Sequence, residues 1–166
     1  MNNVNRPKLH IPRTKSEWIA DIIGYVALAV MGFLLVLNWG KLPDEIPAHF
    51  GASGEVDRWG SKMELLILPV ITILMHIFLS VIEKRPHTHN YPSRLNESNA
   101  EAFYTNSRQT VNYMKNIINV LFAYIVYTTV NISLGSAVKL DWPFFAIIAI
   151  LLLVIGWKMV KTMKIK

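Results

Sequence analysis

The side chains best suited to chemistry lie in one stretch, Leu42–Lys62, which reads LPDEIPAHFGASGEVDRWGSK. It contains His49, Glu55, Asp57, Arg58 and Lys62 within fourteen positions. Four kinds of chemistry fit such a set. His49, Glu55 and Asp57 are the imidazole and carboxylates from which a metal site is built. His49 oriented by Asp57 could act as a general base. Asp57 paired with Arg58 or Lys62 would close the loop on itself. An exposed loop bearing Phe50 and Trp59 could also dock a peptide or a lipid headgroup. The chain has no HExxH, no GxSxG and no paired acids within an apolar run, so no recognised catalytic pattern stands behind these residues. The reading is therefore a non-enzymatic recognition loop without a cofactor. Its expected ligand contacts are Pro43, Pro47, His49, Phe50, Gly54, Asp57, Trp59 and Lys62. His49, Glu55 and Asp57 stand as the weaker metal alternative, with a metal-dependent membrane enzyme at His49 and Asp57 as the rival function.

A second set of polar residues falls inside apolar runs. These are Asp21, His76, Asn116 and Asn119. Ionisable groups in a membrane are expensive and face protein, water or headgroups. The four are expected as one polar cluster in the bundle, either a structural hydrogen-bond network or the core of a small proton-linked transporter using Asp21 and His76. His87 and His89 are two positions apart, but they lie in an irregular segment with Glu83 as the acid nearby, which makes them poor metal ligands.

The elements that must hold these residues are helices in lipid. Hydrophobic residues make up 52% of the 166 and charged residues 17%, whereas a soluble domain carries about 25% charged residues. Four apolar runs are long enough to span, at about 18–37, 63–82, 117–134 and 143–159. Thr14 and Glu17 have the spacing of a capping box, so the first helix should begin near Lys15. Ala20, Gly24, Leu28 and Gly32 share one face of it, suited to close helix contact or to a homo-oligomer. Pro69 is expected to kink the second span. From about Asn96 a polar stripe begins: Thr105, Arg108, Gln109, Asn112, Asn116 and Asn119, continuing through Tyr127 and Asn131. Its three- and four-residue spacing predicts one long helix that runs from the polar segment into the third span, stripe inward. Pro143 suits the start of the fourth helix, which is apolar all round and should face lipid.

Most of the 17 Lys and Arg lie before the first run, between the second and third, and after the fourth. The positive-inside rule then places both termini and the 83–116 segment in the cytoplasm and the 38–62 loop outside. Trp18 and Trp157 fall at the inner ends of spans; Trp39, Trp59 and Trp142 fall at the outer ends. The net charge of +6 thus points to the membrane surface rather than to nucleic acid. There are no cysteines, which excludes disulfides and thiolate chemistry. The fold class expected is all-α: a single polytopic membrane domain over 1–166 with four transmembrane helices.

The loop resembles the pattern LPxxIPxHFxxxGxxDxWGxK of a small bacterial membrane domain of unknown function, found at the N-terminus of SdpI-type proteins. The segment NYPSRLNESNAEAFYTNSRQ and the later FAYI also resemble that domain, so the likeness covers nearly the whole chain. Gly51 departs from the pattern, where asparagine is common. The resemblance implies a plasma-membrane protein. Some SdpI-type members confer immunity to a secreted toxin and signal its presence by holding a repressor at the membrane. It thus implies a toxin peptide or envelope lipid outside and a soluble regulator inside, read by the helix around Glu97–Asn112.

Overall fold

The computed structural model describes residues 6–166. Four helices in it are long and apolar enough to cross a membrane. Helix α1 spans Lys15–Asn38, α2 Ile67–Glu83, α3 Ala100–Ser133 and α4 Trp142–Lys164. Their outward faces are apolar and bare: Val36 is 79% exposed and Leu153 72%. In water such continuous patches would drive association; against lipid they are the expected solvent-facing surface. This is a multi-pass membrane architecture, mostly helical.

Each helix boundary follows from local chemistry. The Thr14 hydroxyl accepts from the Glu17 backbone N–H, while the Glu17 carboxylate accepts from the Thr14 N–H, so α1 opens on the expected capping box. Pro143 occupies the first turn of α4, where a missing N–H costs nothing. Helix α3 is continuous for 34 residues, about 51 Å at the α-helical rise, and therefore overruns the hydrocarbon layer of about 30 Å. It begins at Ala100, four residues later than expected. Pro69 does not fall within the interior of a long α-helix, where its kink was expected. A 3₁₀ turn at Lys62–Leu66 precedes α2, and Pro69 sits in the first turn of α2, where the ring meets little helix behind it.

Helix α3 is the hub, packing on α1, α2 and α4. Of the expected small-residue face, Gly24 is buried against the Asn116 side chain, which a Cβ would strike, whereas Gly32 faces open space. Close contact between α1 and α3 thus rests on Gly24 alone among the two glycines.

The connection between α1 and α2 is not an irregular loop. Strands β1, Glu45–Phe50, and β2, Val56–Ser61, pair as an antiparallel hairpin, from Glu45 opposite Ser61 to Phe50 opposite Val56. An all-helical description misses it because the alternation is masked by prolines and charges. The hairpin is anchored by Ile46, 1% exposed, which joins Leu42, Leu65, Met31, Leu35, Ala123, Val126 and Val130 in the main apolar core. Burying that isoleucine is worth about 1.5–3 kcal/mol. The hairpin turn is tied down too. Leu140, in the α3–α4 connection, donates its N–H to the Gly54 carbonyl at 2.8 Å, and the backbones of Glu55 and Lys139 pair as an isolated antiparallel β-bridge. Gly54 has φ +82°, and a Cβ there would run into the Leu140 carbonyl. Glycine is required by the conformation and by the approach together.

Candidate functional site

The hairpin brings His49 and Asp57 together. Its register slips on either side of His49, and such irregularities re-aim side chains. His49 Nδ1 lies 2.6 Å from Asp57 Oδ1, with the side chains 65% and 49% exposed. The expected pairings of Asp57 with Arg58 or Lys62 do not form. Arg58 donates instead to Glu64 at 2.8 Å, a bond that raises its pKa further, and Lys62 lies 3.7 Å from Asp44. Lys62 also sits over the Trp39 ring at 5.6 Å. Glu55 does not complete a metal cluster with His49 and Asp57; among the described residues no three His, Asp or Glu side chains converge in that way.

Behind the hairpin lies a cleft of about 300 Å³. Leu65 and Leu68 of the second span, Ile125 of α3 and Phe144 of α4 make it apolar, while His49, Arg58 and Glu64 add polar groups from the hairpin side. Pro47 and Phe50 line it as well. Trp59 remains 49% exposed on the hairpin, and Pro43 precedes β1. The arrangement offers apolar walls with charge beside them.

At the opposite end, which carries the described segment before α1 and the C-terminus, the structure assembles an ionic ring. Arg13 donates to Asp21 at 2.7 Å and to Glu83. Lys115 donates to Glu83 at 2.7 Å and approaches Asp21 at 3.2 Å. Asn112 and Asn116 donate to Asp21 at 2.8 and 2.9 Å. Asp21, Glu83 and Lys115 are all at least 96% buried. Burial alone would lower the Arg13 pKa, but Glu83 and Asp21 outweigh it and hold the guanidinium charged. Beside the ring, Arg108 clasps Glu17 through two bonds, of 2.7 and 3.0 Å. Arg108 also donates to the Ile11 and Pro12 carbonyls, so residues 11–13 are pinned across the bundle end. A cavity of about 320 Å³ opens there, lined by the ring and by His10 and Ile11.

The expected polar cluster thus resolves into two pairs. Asp21 meets Asn116, and Asn119 donates to His76 Nδ1 at 2.8 Å. Of the surroundings open to an acid in a spanning segment, Asp21 takes protein rather than headgroups: it is 3% exposed, in the second turn of α1. The stripe on α3 faces inward through Asn119, but Tyr127 is exposed and Asn131 donates back to the Tyr127 carbonyl. His89 is occupied by Ser107 and the Ile82 carbonyl. Sequence reasoning missed Arg13, Glu83 and Lys115. Lys115 lies on the same helix face as Arg108 and Asn119, a signal hidden by its use as a topology charge.

Residues 26–73 match a domain of unknown function, DUF1648. The DUF1648 match runs from mid-α1 through the whole hairpin into α2, and leaves out Asp21, Glu83 and Lys115. An uncharacterized protein of Archaeoglobus fulgidus is 37% identical over 86 residues, which are 51% of this chain and 45% of that protein. The aligned part is thus about half the length of that relative. No solved structure matches.

Proposed function

We propose that this chain is a non-enzymatic membrane protein that recognises an amphipathic ligand, a toxin peptide or an envelope lipid, through its hairpin and the cleft behind it. The observation that carries this reading is the cleft itself: about 300 Å³ of mostly apolar wall beside His49, Arg58 and Glu64. Ligand sites are concave, largely apolar and orient their ligand with a few polar groups. The DUF1648 match covers the hairpin and both its flanks, and the SdpI-like pattern adds an immunity or signalling role in a bacterial plasma membrane. A soluble regulator would read the termini end. There Glu101 and Ala102 are exposed at the start of α3, while Phe103, Tyr104, Asn106, Arg108 and Gln109 are covered.

The test is genetic and then structural. Cells expressing the chain and cells lacking it are challenged with secreted antimicrobial peptides, with transcription of neighbouring genes followed in parallel. Protection or altered expression is expected, and Leu68→Trp, which fills the cleft, should remove it while the protein still accumulates in the membrane. If neither sensitivity nor expression changes, immunity and signalling lose their support. Metal found by elemental analysis of the purified protein would instead favour the His49/Asp57 enzyme.

A further inference from the structure

Helices α1 and α4 both pack on α3 with little contact between them, and the gap is a groove of about 290 Å³. Ile23 of α1, Val120 of α3 and Ile150 and Val154 of α4 line it, and Tyr113 and Trp157 lie toward the termini end. Two lysines stand against those rings. Lys158 Nζ lies 5.1 Å from the Tyr113 ring centre and 4.9 Å from that of Trp157, and Lys161 Nζ lies 5.9 Å from Trp157.

Lys158 is 1% exposed. Its ammonium is 2.6 Å from Gln109 Oε1 and 3.3 Å from Asn106 Oδ1. Both partners are neutral amides. Among the described residues, neither Lys158 nor Lys161 forms an ion pair. Glu17, whose charge reaches Lys158, is already engaged by Arg108. A buried ammonium without a counter-charge is costly, and its field is weakly screened in an apolar setting. Lys161, one turn on and exposed, adds a second positive charge.

We propose that this groove binds an anionic phospholipid. One acyl chain lies between α1 and α4, and the phosphate rests against Lys161 beside Trp157, offsetting the charge of Lys158. A neutral lipid fits the apolar part equally well but leaves that charge unmatched, so selectivity for anionic headgroups is the distinguishing property. The site is at the other end of the bundle from the hairpin cleft and does not rest on the function proposed for it.

The full chain is reconstituted into phosphatidylcholine vesicles as a variant keeping only Trp157, with Trp18, Trp39, Trp59 and Trp142 changed to Phe. Lipid with brominated chains, phosphatidylglycerol or phosphatidylcholine, is added in equal fractions, and quenching of Trp157 is measured. Brominated phosphatidylglycerol is expected to quench at a lower fraction. Lys161→Gln should reduce that preference about fivefold, the weight of one lysine at an anionic surface. Equal quenching by the two lipids overturns the proposal and leaves an apolar filler. Quenching by neither overturns it as well, since the groove is then covered by another copy of the chain. Native mass spectrometry of the unaltered protein, eluted from an equimolar mixture of both lipids, gives an independent reading: no retained excess of phosphatidylglycerol would also overturn it.

Discussion

Lys115 and Lys62 show how differently two lysine ion pairs weigh. Lys115 is 3% exposed between Asp21 and Glu83, and its removal leaves two buried carboxylates with Arg13 as their one counter-charge in the ring. Lys115→Met should therefore destabilise the protein by about 3–5 kcal/mol, the range for breaking a buried pair. A large drop in the thermal unfolding midpoint in detergent would register this. Lys62 faces Asp44, which is fully exposed, so Lys62→Met should leave the midpoint unchanged. Equal midpoints for the two variants would mean that the ring is not structural. The ring is close to neutral overall, two acids against two bases, and every member has a partner. That completeness favours a latch between α1, α2, α3 and the chain before α1 over a site awaiting a charged ligand.

The hairpin is the element least like its surroundings. It stays in place through contacts of different kinds, among them Ile46 in the apolar core, Arg58 to Glu64, and the Gly54–Leu140 backbone bond. The last depends on φ +82° at Gly54. Gly54→Ala puts a Cβ against the Leu140 carbonyl and forces a residue into the left-handed region, a strain of about 1–3 kcal/mol. The expected result is local: faster hydrogen exchange at the Leu140 amide and in β1 and β2, with the four helices still protected. Unchanged exchange at Leu140 would show that the turn is held otherwise. A hairpin loosened in this way also opens the cleft wall formed by Pro47, His49 and Phe50, so ligand recognition should weaken with it.

At the scale of the whole molecule, the interior is polar at one end and apolar toward the other. The hydrogen-bonded interior runs from the ionic ring through Asn112 and Asn116 to the Asn119–His76 pair. Beyond that pair the core is Met31, Leu35, Leu42, Ile46, Leu65, Ala123, Val126 and Val130. A proton path across the bundle would have to cross this dry layer, which weighs against transport by Asp21 and His76. From the concentration of bases at the termini end we propose an orientation with both termini in the cytoplasm. Because the chain lacks cysteine, single cysteines report it cleanly. Ser136→Cys should react with an impermeant maleimide in intact cells, and Ser98→Cys only after lysis; the reverse pattern would invert the topology.

Much of this architecture was legible in the chain. Four spans, the Thr14 cap, Pro143 at a helix start and the long continuous α3 all depend on local properties: hydropathy, spacing and the hydrogen-bonding needs of helix ends. These are set by residues within a few positions of one another. The hairpin was not legible, because its stability comes from Ile46 packing on α1 and α3 and from Leu140, far along the sequence, bonding to Gly54. The pairing of charges was not legible either. Asp57 had three basic partners within reach in sequence and took His49; Arg58 took Glu64. Arg13, Asp21, Glu83 and Lys115 come from four separate segments, and an ionic ring exists only once helix packing has brought all four together. Leu42–Lys62 was recognisable as the distinctive stretch from its composition, but its conversion into one wall of a cleft required α2, α3 and α4 to supply the others.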